Sequence, residues 1–175
     1  MGELLDTEPK ICFEPVADKD TRVLVLGTLP GAISLARGRY YANPTNQFWR
    51  LIGPVIGVDL TALDYEDRLA ALLSGRVGLW DVVASASRRG SLDSAIRAYD
   101  ANALSALAER LPKLRAFAFN GAKAYQIGRR QMRGAPAPTL IPLPSSSAAY
   151  CAMSLETKQS RWLTLQHNLR AGQEP

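Results

Sequence analysis

A short stretch near the start of the chain combines residue types that can bind a flat, uncharged ring. The apolar run at residues 22–26 leads into a turn, Gly27-Thr28-Leu29-Pro30-Gly31, called here the glycine turn. Open α/β sheets usually bind their ligands at such strand-to-helix connections. Tyr41 can present its ring face to this crevice, and the neutral carboxamide of Asn46 can orient a water molecule or hydrogen-bond a ligand.

The glycine turn does not have the features of a nucleotide site. It lacks the GxGxxG spacing, and no Lys-Ser/Thr pair follows it, so the turn is not expected to hold a phosphate. Its two glycines would still let a ligand approach the backbone closely. A structural explanation stays open, because any tight turn between a strand and a helix favours Gly and Pro.

The placement of Asn46 depends on where the next helix begins. Asn43-Pro44 is typical of an N-cap followed by proline at the first helical position. This pattern predicts Asn46 at about the third helical position, where its amide would point into the crevice. A solvated first-turn asparagine is the alternative. Phe48 and Trp49 lie on the apolar face and are expected in the core.

Alternating apolar runs and helical patterns predict a three-layer α/β/α sandwich around a central, mainly parallel, four-stranded sheet. The helical patterns include residues 48–56, 69–73 and 104–111, and a last helix at 155–169 with Ser154 as its N-cap. The strands are short and apolar, as expected when both faces of a sheet are covered. They are predicted at residues 22–26, 77–80, 114–119 and 139–142.

Length and composition predict one domain. The chain has 175 residues, of which 47% are hydrophobic, enough for a full core. We expect a single domain over residues 1–175, ordered over about residues 11–170 and frayed at both ends. No apolar run is long enough to span a bilayer, and no signal peptide is evident. Two distant cysteines and one histidine, His167, do not suffice for a zinc site, so we expect a cytoplasmic protein with no metal and no cofactor.

The positive charge favours a polyanionic partner. The formal net charge is +5, from 21 Lys+Arg against 16 Asp+Glu. Basic residues follow three of the candidate strands, and in a parallel sheet these connections share one edge, so the charges can converge there. Arginines that solvate unrelated helix ends are the alternative. The three basic segments contain Arg37 and Arg39, then Arg88 and Arg89, then Lys123, Arg129, Arg130 and Arg133.

Taken in order, these motifs resemble the uracil-DNA glycosylase superfamily, most closely its deoxyinosine (hypoxanthine) DNA glycosylase branch. The first motif is the glycine turn followed by Tyr-Tyr-Ala-Asn-Pro-Thr-Asn-Gln-Phe-Trp at residues 40–49. The others are Gly-Leu-Trp-Asp-Val-Val at 78–83, Gly-Ser-Leu-Asp-Ser-Ala-Ile at 90–96, Phe-Asn-Gly-Ala-Lys-Ala at 119–124, Leu-Pro-Ser-Ser-Ser-Ala-Ala at 143–149 and the helix at 158–162. The set covers most of the chain.

The resemblance implies a monofunctional glycosylase that flips a deaminated base out of DNA and hydrolyses its N-glycosidic bond. Tyr41 matches the ring that stacks on the extruded base, and Asp81 matches a position that reads the base edge. An ionised carboxylate accepts a hydrogen bond from the ring N–H of hypoxanthine, uracil or xanthine, although Asp81 can instead cap a helix or loop. Many members carry Asn or Asp where this chain has Leu29, so Asn46 is the candidate catalytic asparagine.

The resemblance also assigns the DNA contacts. The segment at residues 143–150, called here the serine loop, matches the loop that inserts into the duplex and grips phosphates. Its family form is closer to Pro-Ser-Thr-Ser-Pro-Ala-Asn, so this chain lacks the second proline and the final asparagine. Hydroxyls and backbone amides still offer phosphate donors. The candidate DNA-binding residues are Pro144, Ser145, Ser146, Ser147, Ala148, Arg88 and Lys123.

Two other functions compete with a monomeric glycosylase. In the glycosylase, backbone amides around Gly27, Thr28 and Leu29 would stabilise negative charge on the departing base. The first competitor is a non-catalytic sensor of damaged or single-stranded nucleic acid, suggested by Leu29 and the altered serine loop. The second is a serine hydrolase using the hydroxyls at 145–147. The chain has no Gly-x-Ser-x-Gly elbow, however, and offers only His167 as an imidazole base.

Overall fold

The structure, a computed structural model, describes residues 8–88, 91–93, 96, 98–136 and 138–170. The strands, in chain order, are β1 (Lys10–Ile11), β2 (Val23–Gly27), β3 (Val77–Asp81), β4 (Val83–Ala86), β5 (Tyr99–Ala101), β6 (Ala116–Asn120) and β7 (Thr139–Leu143). The helices are α1 (Ala32–Arg37), α2 (Phe48–Ile56), α3 (Tyr65–Ser74), α4 (Leu104–Glu109), α5 (Ala122–Gln131), α6 (Leu155–Leu163) and α7 (Gln166–Leu169), with a 3₁₀ turn at Leu60–Ala62.

The central sheet has four parallel strands in the order β3-β2-β6-β7. Their carboxyl ends lie side by side, because Gly27 pairs in register with Asp81, and Asn120 with Leu143. Strands β2 and β6 are buried throughout, as expected for the middle of a sheet covered on both faces. The predicted parallel sheet is therefore confirmed, and each predicted strand overlaps the observed one.

Helices cover both faces of this sheet. One hydrophobic cluster joins Val25 and Leu79 to side chains of α2, α3 and α6, including Phe48 and Trp162. The other joins Leu26 to side chains of α4 and α5. Alternate residues of a strand point to opposite faces, so β2 contributes to both clusters. The three-layer α/β/α arrangement predicted from the sequence is confirmed, and Phe48 and Trp49 are core residues.

The sequence patterns missed a second, smaller sheet. Strands β1, β4 and β5 pair antiparallel, with β4 in the middle. Strand β4 follows β3 after one residue, Val82, and the backbone N–H of Val82 donates to the carbonyl of Gly27. These strands are only two to four residues long, too short for an alternating pattern to stand out.

The predicted start of α2 is wrong. The helix begins at Phe48 with Gln47 as its N-cap, so Asn43 does not cap it and Asn46 lies just outside it. The cause is local, because the Asn43 carboxamide oxygen accepts from both the backbone N–H and the hydroxyl of Thr45. These bonds close a separate turn, and the backbone N–H of Asn46 donates to the Asn43 carbonyl.

The last predicted helix is divided. Ser154 caps α6 as predicted, its hydroxyl accepting from the Thr157 N–H. The helix ends at Leu163 and α7 resumes at Gln166. The Thr164 hydroxyl donates to the Arg161 carbonyl, a bond to the preceding turn of the kind that bends helices. The predicted frayed residues 1–7 and 171–175 lie outside the part of the chain that the structure describes.

Candidate functional site

The carboxyl ends of the parallel strands border a cavity of about 420 Å³, within the usual size range of ligand sites. Its lining includes the glycine turn with Tyr41 and Asn46, Asp81 at the end of β3 and Asn120 at the end of β6. It also includes residues 91–93, the start of α5 and the serine loop. Gly27, Thr28, Leu29, Ser145, Ser146, Ser147 and Lys123 also line it, whereas Pro144, Ala148 and Arg88 do not.

Gly27 is required by close packing at the base of this cavity. A Cβ atom on this residue would lie 2.7 Å from Asp81 Oδ1 and 3.2 Å from Tyr41 Oη. Any side chain at position 27 would therefore displace the two groups predicted to contact the base. The neighbouring Thr28 is buried, and its hydroxyl donates to Asp93 Oδ2 over 2.8 Å, so this hydroxyl is committed to the protein.

Arg88 supports the glycine turn from behind instead of contacting DNA. Its side chain has no solvent exposure. Its guanidinium donates to the carbonyl of Leu29 over 3.3 Å and to that of Pro30, and it lies 3.4 Å from Asp93 Oδ1. The prediction of a phosphate contact is corrected here, because a phosphate cannot reach a guanidinium that is enclosed by the protein's own carbonyls.

The three basic segments do not converge as predicted. Arg129 and Arg130 lie in the last turn of α5, a ten-residue helix about 15 Å long at 1.5 Å per residue. The helix starts at the cavity edge and carries these arginines away from it, whereas Lys123 in its first turn lines the cavity. Arg39 instead lies over the ring of Tyr65, and Arg89 is outside the described residues.

Tyr41 is held in an unusual backbone conformation. Its φ is +51°, a value that bulky residues rarely adopt and that often marks functional sites. The ring stacks on Phe48 with centroids 3.8 Å apart and planes 13° apart, and Trp49 Nε1 donates to the Tyr41 carbonyl. One face of the ring is thus covered, so stacking on a base would use the other face.

Asn46 joins two further side chains in one hydrogen-bonded series, called here the amide chain (Asn120, Ser146 and Asn46). Asn120 Nδ2 donates to Ser146 Oγ, which donates to Asn46 Oδ1, each over 2.8 Å. Asn46 Oδ1 also accepts from the backbone N–H of Phe48 over 2.9 Å. Asn120 Nδ2 lies 3.2 Å from Tyr41 Oη, which links the chain to the aromatic ring.

Asn120 is a site residue that the sequence reasoning did not single out. It ends the apolar strand β6, with its carboxamide at the carboxyl rim of the sheet. The signal was a polar residue directly after an apolar strand and before a glycine. Gly121 has a φ of +98°, and a Cβ there would lie 3.3 Å from Ser145 Cβ. This glycine therefore lets the serine loop approach the end of β6.

Asp81 is a buried carboxyl with an unusual protonation equilibrium. Burial, and then repulsion from nearby Asp93, raise the pKa of Asp81 to about 7, although Arg88 partly offsets this. Asp81 Oδ2 is buried and has no hydrogen-bond partner among the described residues. Partial burial also raises the pKa of Asp93, opposed by its bonds to Thr28 and Arg88. Asp81 can thus either accept or donate a hydrogen bond near neutral pH.

A buried lysine connects the serine loop to the start of α2. Lys158 Nζ donates to Gln47 Oε1 over 2.9 Å and to the Ser147 carbonyl over 3.2 Å, and it lies over the ring of Tyr150. The backbone N–H of Gln47 donates to the Ser146 carbonyl. These bonds fix Ser146 next to Asn46 without the second proline of the family loop.

The structure gives no support to a serine hydrolase. The hydroxyl of Ser146 contacts Asn120 and Asn46, and those of Ser145 and Ser147 accept from backbone N–H groups within the loop. Among the described residues, none of these hydroxyls hydrogen-bonds to His167.

The part of the chain that the structure describes holds no group of three or more His, Cys, Asp or Glu side chains placed to bind a metal ion. We also find there no helix with the length and hydrophobicity needed to cross a membrane.

Comparisons with known proteins place this chain in a family. Residues 14–167 match the model of the Uracil DNA glycosylase superfamily. A hypoxanthine DNA glycosylase of Methanosarcina acetivorans is 43% identical over 150 residues, covering 86% of this chain and 93% of that protein. The corresponding protein of Methanosarcina barkeri is 39% identical over the same length, with the same coverage. A solution NMR structure from M. acetivorans superposes with a TM-score of 0.82 and 41% identity, covering 93% of this chain and 99% of that one.

The chain therefore belongs to the uracil-DNA glycosylase superfamily. The family match and the identity of the relatives each cover most of its length. The resemblance inferred from the ordered motifs is confirmed, as is its assignment to the hypoxanthine branch.

Proposed function

We propose that this DNA glycosylase removes hypoxanthine from DNA, with uracil and xanthine as further candidate substrates. The observation that carries this proposal is that one cavity at the carboxyl rim of the sheet is lined by Tyr41, Asn46 and Asp81. Tyr41 and Asn46 precede α2, whereas Asp81 ends β3. The relatives named hypoxanthine DNA glycosylases support the choice of base. The cavity, at about 420 Å³, has room for a purine ring system.

The target base would enter this cavity after rotating out of the helix. Such base flipping costs a few kcal/mol and is easiest at a mispaired base, which favours damaged pairs before any bond is broken. Stacking of the base on the open face of Tyr41 would return about 1–3 kcal/mol. Ionised Asp81 would accept from the ring N–H, a donor that deaminated bases carry on the edge where adenine has none.

Hydrolysis then needs few acid-base groups. As the bond between the base nitrogen and sugar C1′ breaks, its electron pair moves onto the base and the sugar becomes an oxocarbenium ion. Water adds to C1′, its proton passes to the base or to solvent, and the products are an abasic site and the free base. Hydrogen-bond donors in the cavity would stabilise the anionic base as it departs. Asn46 is the proposed catalytic amide.

DNA would be held at the mouth of the same cavity. Lys123, the backbone of the serine loop and the hydroxyls of Ser145 and Ser147 are the proposed phosphate contacts. The Ser146 hydroxyl is left out because it bonds to Asn120 and Asn46, and Arg88 is removed from the predicted set. Cleavage of duplexes is expected to exceed cleavage of single strands, since the serine loop can fill the gap left in a duplex. The proposed chemistry needs no residue from a second chain, so we propose a monomer, which light scattering on the free protein and its DNA complex can test.

A single-turnover assay tests the proposal. Duplexes carrying one inosine, uracil, xanthosine or mismatched thymine are mixed with excess enzyme and treated with alkali to cleave abasic products. We expect the fastest cleavage at inosine and no strand cleavage without alkali, because a monofunctional enzyme leaves the backbone intact. Undamaged duplex and the Asn46→Ala variant serve as controls.

The same assay separates the enzyme from the sensor. Tight binding to an inosine duplex with no abasic product on any substrate would favour a non-catalytic sensor. Cleavage at uracil but not at inosine would keep the glycosylase and reject hypoxanthine as the preferred base.

A further inference from the structure

The amide chain joins three elements that lie far apart in sequence. Asn46 precedes α2, Asn120 ends β6, and Ser146 is in the serine loop, 100 residues from Asn46 and 26 from Asn120. Ser146 is 1% exposed, and it also donates its backbone N–H to Asn120 Oδ1 over 2.8 Å. It thus makes two bonds to one asparagine and one to the other.

Two backbone N–H groups fix the donor and the acceptor of every hydrogen bond in the amide chain. A backbone N–H can only donate, so the atom of Asn46 that faces the Phe48 N–H must be Oδ1. By the same reasoning, the atom of Asn120 that faces the Ser146 N–H is Oδ1. Asn120 Nδ2 therefore donates to Ser146 Oγ, whose own hydrogen is left to donate to Asn46 Oδ1.

This direction decides which end of Asn46 meets the ligand. Oδ1 already accepts two hydrogen bonds, the number of its lone pairs. Nδ2 has no hydrogen-bond partner among the described residues, and Asn46 lines the cavity. The residue therefore offers the cavity a donor, and its acceptor capacity is used within the protein.

We propose that Ser146 is a positioning residue that holds the Asn46 carboxamide with Nδ2 toward the base, so that Asn46 donates a hydrogen bond to the departing base. The inference rests on the proposed function of Asn46. A water bound through donation from Nδ2 would have a lone pair occupied and would be a poorer nucleophile. The departing base, in contrast, gains an electron pair and becomes a stronger acceptor as the bond breaks. The donor is therefore most effective in the transition state.

The kinetic test compares hydroxyl removal with hydroxyl retention at position 146. Ser146→Ala is expected to slow single-turnover cleavage of an inosine duplex roughly 10- to 100-fold, as when the partner that orients an active group is lost. Affinity for a duplex with a tetrahydrofuran abasic analogue is expected to stay within about twofold, since the ground-state DNA contacts are elsewhere. Ser146→Thr keeps a hydroxyl and is expected to recover most of the rate. Asp64→Ala, which removes the N-cap of α3, a helix with no residue in the cavity lining, controls for a general loss of stability.

Two further variants test the route and the polarity. In an Asn46→Ala background, Ser146→Ala is expected to add little, because groups that act as a unit are not additive. Asn46→Asp replaces the donor with an acceptor and is expected to slow cleavage about as much as Asn46→Ala. An acceptor role for Asn46 in holding water would instead leave the Asn46→Asp enzyme active.

A measurement without cleavage separates this inference from the proposed function. In a ¹⁵N-labelled protein, relaxation of the Asn46 side-chain amide is expected to show a rigid group in the wild type and in Ser146→Thr, and a mobile one in Ser146→Ala. If the wild type cleaves no modified duplex, the proposed function fails while relaxation still tests the positioning. A rigid amide and an unchanged rate in Ser146→Ala, or full activity of Asn46→Asp, would overturn the inference.

Discussion

Two parts of the cavity lining differ in how their polar groups are held. On the amide side, Asn46, Ser146 and Asn120 are joined by hydrogen bonds to one another. On the carboxyl side, Asp81 keeps a buried Oδ2 without a partner among the described residues. The first side is fixed by geometry, because two backbone N–H groups set the direction of every bond. The carboxyl side can change its charge with pH, because the pKa of Asp81 is raised to about 7. The comparison suggests that the amide side supplies a constant donor and the carboxyl side reads the base with a pH-dependent group.

The largest expected effect is on the amide side. Asn46→Ala removes the proposed donor and should lower the single-turnover rate by about 10²–10³-fold, the usual loss for one such group. DNA affinity should change little. Asn168→Ala is the matched control, since this asparagine lies in α7 and does not line the cavity. Equal rates for the two variants would remove Asn46 from catalysis.

Arg88→Ala should have the largest effect on stability. It leaves two carbonyls of the glycine turn without their donor, while Asp93 keeps its bond from Thr28. Because the Asp93 side chain is 40% exposed, the loss comes mainly from the unpaired carbonyls and is expected to be about 1–3 kcal/mol. Urea unfolding measures this loss. Loss of Arg88 should also raise the pKa of Asp81 further, because its positive charge now lowers that pKa.

Lys123→Ala removes a cation that lines the cavity, in contrast to the buried Arg88. The log–log dependence of DNA binding on salt should become shallower by about 0.9 if one phosphate contact is lost. Arg88→Ala should leave this slope unchanged. The reverse pattern would restore Arg88 to the DNA-binding surface.

Asp81→Asn should change how stability depends on pH. Asp81 rises from an ordinary pKa of 3.8 to about 7 on folding, so between these values the folded protein binds more protons and its stability falls as pH rises. The variant removes this loss. The free energy of unfolding of the variant, relative to the wild type, should be larger at pH 8 than at pH 5, by roughly 2–3 kcal/mol.

The same variant tests the reading of the base. If ionised Asp81 accepts the ring N–H, wild-type cleavage of inosine should increase between pH 6 and 8, and Asp81→Asn should lose this increase. A pH profile that is the same in both proteins would contradict the assignment.

The smallest effect is expected where the two sides meet. Tyr41→Phe keeps the ring that stacks on Phe48 but removes the hydroxyl that accepts from Asn120. Loss of one such bond costs about 1 kcal/mol, so the rate should fall less than tenfold. Tyr41→Ala should fall further because it also removes the stacking surface. Equal rates for the two variants would place the contribution in the hydroxyl.

The sequence predicted the fold because its signals are local. Strands buried on both faces need uninterrupted apolar runs, and these runs are at residues 23–26 and 116–119. Ser154 was predicted as a cap for a similar reason, since an N-cap bonds within three residues. Asn43 shows the limit of such reasoning, because its carboxamide closed a turn of its own and moved the start of α2 to Phe48.

The charged residues were harder to place from sequence. An arginine after a strand looks the same whether it reaches outward to phosphate or inward to carbonyls, and Arg88 reaches inward. The arginines of α5 are basic in the sequence, but the direction of the helix carries them away from the rim. Ordering along the chain does not encode the direction in which a side chain points.

The sequence by itself determined the layered α/β fold, the rim of the sheet at which the candidate site lies, and the types of residue at that rim. Each follows from apolar periodicity and the spacing of glycines and polar side chains along a short stretch. Tertiary structure alone decided that Ser146 hydrogen-bonds to Asn46, 100 residues away in the sequence. It also decided that Asp81 is buried deeply enough for its pKa to rise to about 7. The physical reason is that hydrogen-bond direction and desolvation depend on neighbours that only the folded chain brings together.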